Sequence, residues 1–344
     1  MLPCFVGPAL MDPLTQGVLG AALPQATASK GRYAASAGLL GFLAGMAADL
    51  DVLIRSATDP LLFLEYHRQF THSLVFIPIG GLVCALILHR LLGRRRGLSF
   101  QQSWLFCTLG YATHALLDAC TTYGTMLFWP FSDQRIAWNT ISIIDPLFTV
   151  PLLLAVVLAA RKQRPLYARL GLAWACAYMA LGLWQRNAAM EMGHELAAQR
   201  ADTVLRLEAK PSFANILVWK IVYETEDRYH VDAVRAGLVP KVFPGASVPK
   251  LDVARDMPWL DGNSQQARDI ERFRWFSNGY IARDPRYPNR VMDIRYSMIP
   301  NEMAPLWSIE LQPGASSDQH VAYRVHRNAK GSPVQRLWYM LAGD

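Results

Sequence analysis

A histidine and an aspartate stand one helical turn apart within an apolar stretch of the chain. The stretch reads YATHALLD, which places His114 and Asp118 four residues apart. On a helix, residues at this spacing lie on the same face. An imidazole nitrogen and a carboxylate oxygen so placed can chelate zinc, manganese or iron. A hydrogen-bonded pair that braces two helices is the structural alternative, but ionisable groups inside a membrane usually mark a functional site.

A second dense group of polar residues is the sequence HRQFTHS, from His67 to Ser73. Histidines five residues apart do not share one helical face, so we expect His67 in a loop and His72 on the first turn of the helix that follows. Thr71 or Ser73 is a candidate cap for that helix. Arg68 cannot bind a metal, but its planar guanidinium suits a phosphate or carboxylate group.

Three further aspartates lie at the ends of apolar runs. Asp49 and Asp51 end a run in which small residues permit close helix contact. Two carboxylates two residues apart cannot both face inward from a regular helix. Either the helix frays there and both bind metal, or one binds and the other is solvated. Asp145 precedes Pro146, a frequent helix start, so it is either a cap or a functional carboxylate.

The apolar residues that must position these groups are concentrated before about residue 187, in a chain that is 52% hydrophobic. Six runs are candidate membrane helices, and we expect about six spans. The three strongest are Ala34–Ile54, Ser73–Leu92 and Leu166–Trp184, and the three weaker are Ala9–Ala28, Trp104–Thr122 and Leu147–Ala160.

Much of the net charge of +7 lies in two basic clusters between apolar runs, Arg90–Arg96 and Arg161–Arg169. Cytoplasmic loops explain such clusters better than a nucleic-acid surface does, so we expect no nucleic-acid partner. This orientation places both termini outside and brings most of the polar candidates to the outer face, with His114 about one turn deeper. They are Gln16, Asp49, Asp51, His67, His72, Asp118 and Asp145.

The composition changes after residue 186, which predicts a membrane domain over 11–186 and a soluble extracytoplasmic domain over 187–344. Alternating stretches predict a mainly antiparallel β or α+β domain, with a hairpin over 220–231 and strands near 292–296, 307–311 and 321–325. An amphipathic helix is expected over Ser264–Phe276. The uncharged first ten residues do not resemble a signal peptide, and Met11 is an alternative start.

These motifs resemble those of the YdjM-like family, inner-membrane proteins described as membrane-bound metal-dependent hydrolases and regulated in some bacteria by LexA. The resemblance covers Met11 to about Lys162 and implies a bacterial inner-membrane location. Many members have histidine where this chain has Gln16, and glutamine is a poor ligand for transition metals, so we expect Gln16 outside the ligand set. The matching sequences are MDPLTQGVLG, DLD, HRQFTHS, GYATHALLDACTTYGTMLFWPFS and IIDP.

The sequence therefore predicts a membrane hydrolase in which one or two divalent metals activate water. Zinc is the first choice, with manganese, iron or magnesium as alternatives. Asp145, or whichever of Asp49 and Asp51 is free, is the candidate base, while Arg68 and Arg135 are candidates to hold an anionic group. A membrane lipid or lipid-linked phosphoester is the expected substrate class. The predicted ligands are Asp49, Asp51, His67, His72, His114 and Asp118.

Two other classes of function use similar residues. A transporter of metal ions or protons also places His and Asp inside a membrane, although there they form a path across it. A non-catalytic protein would use the metal only to brace its helices. The sequence leaves both alternatives open.

Overall fold

The computed structural model describes residues 12–28, 31–237, 239–326 and 333–343. Met11 and the residues before it, including the predicted start of the first helix at Ala9, lie outside these ranges. The chain divides into two compact units. Among the described residues, the first unit comprises 12–53, 66–183 and 213–215, and the second comprises the remainder.

Helices form at all six predicted apolar runs. Three helical stretches are long and apolar enough to cross a membrane, and they match the three strongest runs: Gly31–Leu53, Leu74–Arg96 and Pro165–Gln199. Spanning by the other three remains a prediction. In chain order the helices are α1 Pro13–Thr27, α2 Ala34–Met46, α3 Leu62–Tyr66, α4 Ile77–Leu88, α5 Phe100–Cys120, α6 Pro146–Lys162 and α7 Pro165–Gln199.

Helix α7 is longer than the sequence predicted. Its 35 residues span about 52 Å at 1.5 Å per residue, well beyond the thickness of a bilayer core. The two compact units part between Leu183 and Trp184, inside this helix. The predicted domain boundary at residue 186 therefore falls within a continuous helix and not in a linker.

Short 3₁₀ turns carry several of the polar candidates. One such turn, Ala47–Leu53, continues α2 and contains Asp49 and Asp51, so the regular helix ends before both carboxylates. Another, Phe70–His72, precedes α4. Ser73 follows it and accepts a hydrogen bond from Phe76 N, which makes Ser73 a cap. His72 thus lies before the helix and not on its first turn, and His67 lies in a loop as predicted.

Glycines let α1, α2 and α5 approach to backbone contact. A β-carbon added to Gly20 would lie 2.6 Å from Gly41 O, and one added to Gly45 would lie 2.9 Å from Gln16 O. One added to Gly110 would overlap the Gly41 carbonyl. Only residues without a side chain allow this spacing, as is common between membrane helices. The contact brings Gln16, the end of α2 and the C-terminal half of α5 together.

The outward face of α4 is a continuous apolar surface. Its large side chains are between 38% and 58% exposed, which in water would be an unusually large apolar patch. Contact with lipid accounts for such a face on a helix of spanning length. The residues are Ile79, Leu82, Val83, Leu86 and Ile87.

The second unit contains two four-stranded antiparallel sheets, each paired in chain order. A shared apolar cluster includes Val222 and Val231 from one sheet and Ala282 and Met292 from the other. The strands of the first sheet are β1 Arg206–Pro211, β2 Val218–Glu224, β3 Arg228–Arg235 and β4 Lys241–Pro249, and those of the second are β5 Ile281–Arg283, β6 Arg290–Asp293, β7 Trp307–Glu310 and β8 Ala322–Val325.

The alternating pattern of the sequence predicted most of this unit. The hairpin is confirmed as β2 and β3, and the predicted amphipathic helix is α9, Gln265–Phe276, capped by Ser264. The strand near 292–296 is shorter than expected, because β6 ends at Asp293. The helices that were not predicted are the short α3 and α8 (Val253–Asp256) and the C-terminal α10 (Pro333–Ala342).

Candidate metal centre

Four predicted ligands converge in the first unit: Asp49, His72, His114 and Asp118. Each offers a ligand atom, and these atoms lie within 4.8 Å of one another. His72 Nε2 lies 2.9 Å from His114 Nε2, 3.5 Å from Asp49 Oδ1 and 3.2 Å from Asp118 Oδ2. His114 Nε2 lies 3.4 Å from Asp49 Oδ1 and 3.6 Å from Asp118 Oδ2.

These separations fit a tetrahedral metal site. Metal–ligand bonds of about 2.0–2.1 Å place neighbouring ligand atoms about 3.3 Å apart around zinc. The five distances given above, from 2.9 to 3.6 Å, bracket that value. Two imidazoles and two carboxylates are also a donor set that zinc accepts. The residues present therefore fit a divalent cation.

The other ring nitrogen of each histidine fixes the tautomer. His114 Nδ1 lies 2.5 Å from Gly45 O, and His72 Nδ1 lies 3.3 Å from Asp51 Oδ2 and 2.9 Å from Thr71 Oγ1. A carbonyl or carboxylate oxygen can only accept, so both Nδ1 atoms carry hydrogen and both Nε2 atoms present lone pairs. In the neutral rings, two lone pairs 2.9 Å apart repel each other, so this contact calls for a positive charge, either a proton on one Nε2 or a metal ion bound by both.

Asp51 holds two histidines by their Nδ1 atoms. Its Oδ1 lies 2.8 Å from His67 Nδ1, and its Oδ2 accepts from Arg68 N at 2.9 Å and from Thr71 Oγ1 at 2.8 Å. A carboxylate in this position orients imidazoles toward a metal. Asp51 also groups with Asp49 and His67 as a possible second set of ligands. His67 Nε2 is buried and has no hydrogen-bond partner among the described residues.

Arg68 pairs with a carboxylate of the protein itself, that of Asp118, whereas the sequence offered it for an anionic group of the substrate. Its Nε lies 2.9 Å from Asp118 Oδ2, Nη1 donates to Thr121 Oγ1 at 3.2 Å, and the guanidinium lies 4.8 Å from the centre of the Tyr123 ring. The side chain is fully buried, and the backbone has a left-handed φ of 63°. Such a conformation costs a non-glycine residue about 1 kcal/mol and persists where surrounding contacts enforce it. Its predicted contact with a substrate remains a prediction.

Gln16 touches the ligand set from α1. Its Nε2 donates to Asp118 Oδ1 at 2.7 Å and lies 3.5 Å from His114 O. Gln16 thus supports the ligand Asp118 through its amide nitrogen. Its Oε1, the atom that could bind a metal, is buried without a hydrogen-bond partner among the described residues, so the expectation that Gln16 lies outside the ligand set stays a prediction.

We expect Gln16→Ala to weaken metal binding by about tenfold, the lower end of the effect of removing a group that orients a ligand. Gln16→His should bind metal more tightly than the wild type, because an imidazole adds a donor beside Asp118. Zinc dissociation constants from chelator competition test both. Equal affinities in all three proteins would show that position 16 does not support the centre.

Asp145 lies in a different network. Its Oδ1 accepts from Leu147 N and Phe148 N, which makes it the cap of α6, and both its oxygens accept from Tyr178 Oη at 3.0 and 2.9 Å. Burial raises the pKa of Asp145, and the hydrogen bonds from these three donors offset only part of that rise. In the described part of the chain, no hydrogen bond or ion pair joins Asp145 to the four converging residues. The geometry supports the capping alternative, and the role of base stays a prediction.

Arg135 braces the loop around the centre. Nη1 donates to Gly124 O at 3.1 Å and Nη2 to His67 O at 3.0 Å. The guanidinium also lies 5.8 Å from the centre of the Tyr123 ring. Arg135 therefore holds the His67 loop in place, and its role toward an anionic substrate stays a prediction.

The pKa values of His67 and His72, which both lie before α4, are shifted in opposite directions. The pKa of His72 is raised well above its ordinary value: burial alone would lower it, but the carboxylates of Asp118, Asp49 and Asp51 outweigh burial. The pKa of His67 is lowered by burial, which its contact with Asp51 only partly offsets. The three carboxylates therefore favour positive charge at this point, which either a proton on His72 or a bound divalent cation would supply.

The groups near the centre that the sequence analysis did not identify are mostly uncharged hydrogen-bond partners of the ligands and of their turns. The Gly45 carbonyl sets the tautomer of His114, and Tyr111 Oη donates to Thr71 O at 2.8 Å, which holds the turn that carries His72. The motif around His67 contains Thr71, yet nothing in its type pointed beyond a helix cap. A backbone carbonyl leaves no signal in a single sequence.

A model of the YdjM inner membrane protein family matches residues 11–189 of the chain, slightly more than half of it. The chain belongs to the YdjM inner membrane protein family. The resemblance drawn from the motifs is thereby confirmed. The matched region contains all the predicted ligands, and three helical stretches of this chain are apolar enough to cross that membrane.

Two relatives are similar to this chain. The Bacillus subtilis (strain 168) protein YfhP is 23% identical over 271 residues, 76% of this chain and 78% of the relative. A match of that length must extend past residue 189 into the second unit. The Escherichia coli (strain K12) inner membrane protein YbcI is 37% identical over 107 residues, 30% of this chain and 60% of the relative. No solved structure matches the chain.

Proposed function

We propose that this protein is a membrane-bound hydrolase that uses a divalent metal, with zinc as the first choice, held by Asp49, His72, His114 and Asp118. The observation that carries the proposal is the convergence of two Nε2 lone pairs and two carboxylates at separations from 2.9 to 3.6 Å. Each histidine is held by an acceptor at its other nitrogen, so the lone pairs are aimed before any metal binds.

Different residues of the centre would bind the metal, orient the ligands and accept a proton. A bound cation would lower the pKa of a water and offset charge on the attacked group. Asp51 and Gly45 O fix the histidines, and Arg68 and Gln16 fix Asp118. Asp51 is fully engaged with donors, whereas the side chain of Asp49 is 13% exposed. Asp49 would hold the metal through Oδ1, which leaves its second carboxylate oxygen as the one best placed, among the predicted bases, to accept a proton from water.

The substrate class follows from location. A centre in an inner-membrane protein meets amphiphiles, and a lipid-linked phosphoester offers both an apolar anchor and a bond that a metal centre can cleave. The outward orientation of the centre and of the C-terminal unit is our proposal from the basic loops. The lipid substrate is likewise our proposal, and it is supported by the membrane location of the centre.

The proposal is tested by metal analysis and hydrolysis on the same detergent-purified protein. We expect at least one zinc per chain and cleavage of phosphoester substrates presented in mixed micelles. Chelation should abolish cleavage, and zinc should restore it. The Asp49→Asn variant, which keeps the shape of the side chain, should retain metal more fully than activity. Protein that contains no metal, or cleavage that survives chelation, would contradict the proposal.

A non-catalytic, metal-braced protein is a second candidate. Four protein ligands complete a tetrahedral site, which is typical of structural zinc, whereas catalytic sites keep a position open. The side chains of His72, His114 and Asp118 are 0% exposed, which favours a closed site. Protein that retains zinc, unfolds on chelation and cleaves no substrate would establish this role.

A further inference from the structure

The segment 54–65 connects two stretches of chain that each contribute a proposed ligand, Asp49 before it and His72 after it. Asp49 and Asp51 precede it, and His67 and His72 follow it. Yet this segment belongs to the second compact unit, while the residues on either side belong to the first. A contact that orders this segment therefore restricts the freedom of the chain between Asp51 and His67.

Arg272 on α9 holds this segment by two carboxylates. Its Nη1 and Nη2 donate to the two oxygens of Asp59 at 3.0 and 2.7 Å, and its Nε donates to Glu65 Oε1 at 2.6 Å. The third partner, Asp269 on the same helix, accepts from Nη1 at 2.9 Å and orients the guanidinium.

A second contact accompanies the ion pairs. The rings of Phe63 and Tyr323 pack edge to face, with centroids 5.1 Å apart. The side chains of Arg272 and Asp59 are only 22% and 21% exposed, and the pairing is bidentate. Bidentate, partly buried pairs are stronger and more directional than exposed pairs between flexible side chains.

We propose that Arg272 is a positioning residue for the metal centre. By anchoring Asp59 and Glu65 it orders the segment that links Asp49 and Asp51 to His67 and His72. The inference rests on the proposed metal centre and assigns the second unit a role in it.

The physical basis is the entropy of the linking segment. A segment ordered by Arg272 presents the ligands Asp49 and His72, with Asp51 and His67 beside them, with little freedom left to lose when metal binds. Without the anchor, metal binding must also order the segment, so affinity falls. We expect a weakening of about tenfold, similar to the loss of a group that orients a ligand.

The test compares Arg272→Gln with the wild type in the full-length protein, with zinc and cobalt(II) as probes. We expect the zinc dissociation constant to rise about tenfold. The visible absorption of bound cobalt(II) should change, because displaced ligands alter its ligand field. Arg272→Lys should bind zinc more tightly than Arg272→Gln but less tightly than the wild type, because lysine keeps the positive charge but cannot form the bidentate pair. Asp59→Asn weakens the bidentate pair from the other side but leaves the contact with Glu65, so it should change the affinity in the same direction if Arg272→Gln does not fold.

Two control variants separate positioning from stability. Arg274→Gln, two residues along the same helix, removes an exposed pair with Glu271. Arg200→Gln removes a comparable pair, with Asp232, that does not touch the segment. Both should keep the wild-type dissociation constant and spectrum.

Unchanged zinc affinity and cobalt spectrum in Arg272→Gln would overturn the inference while leaving the metal centre intact. Equal weakening in Arg200→Gln would also overturn it, by showing a general effect of stability. Wild-type protein that binds neither ion would overturn the proposed metal centre itself, and this inference with it.

Discussion

The variants His114→Ala and Asp118→Ala should each lose bound metal and any hydrolysis. The two residues stand one turn apart on α5 and reach the centre together, with His114 Nε2 3.6 Å from Asp118 Oδ2. Loss of either leaves three ligands at most, and the loss of Asp118 also leaves buried Arg68 without the carboxylate beside Nε. Metal content per chain after purification, with hydrolysis on the same samples, measures the effect.

The matched controls are His89→Ala and Asp133→Ala. His89 lies beyond the end of α4 and contacts Ser103 Oγ at 2.9 Å, and Asp133 is exposed in a loop. Both should keep the metal. Membrane insertion should survive in all four variants, because alanine makes a span easier to partition into lipid. If both α5 variants keep full metal content, the pair is a structural brace and the proposed centre is wrong.

The variant Gly110→Ala should destabilise the first unit severely. A β-carbon at this position would overlap the Gly41 carbonyl and would also lie 2.6 Å from Gly41 Cα. These are backbone atoms of α2, which cannot move aside as a flexible side chain can. We expect the free energy of unfolding to fall by about 3 kcal/mol or more, at the upper end of overpacking effects. Denaturant unfolding in detergent, followed by intrinsic fluorescence, measures it.

The same variant should also lose metal. Gly110 precedes His114 by one turn, and His114 depends on the Gly45 carbonyl of α2 for its orientation. Separating α5 from α2 therefore moves a ligand and its support apart. Gly262→Ala is the matched control, since nothing lies within 4 Å of a β-carbon there. A Gly110→Ala protein as stable as the control would show that the helices can separate without cost.

Local patterns predicted the features that depend on neighbouring residues. Spacing on one helix brought His114 and Asp118 to the same face, and alternation predicted the hairpin of β2 and β3. Apolar runs predicted helices at six positions, of which three are both long enough and apolar enough to span a membrane. Each of these properties is set by residues a few positions apart, so a single sequence contains it.

The tertiary structure decided how each carboxylate is used. Asp51 meets His67, Asp118 meets Gln16 from 102 residues away, and Asp145 meets Tyr178 on α7. The sequence offered Asp118 as a ligand, Asp51 as a ligand or base, and Asp145 as a base or cap, but the residue type does not decide between such roles. What distinguishes them is the hydrogen-bond donor that tertiary packing brings to each carboxylate oxygen. This packing depends on glycines that let the helix backbones come into contact. Spacing along the chain carries no information about such contacts, because they form only when distant helices meet.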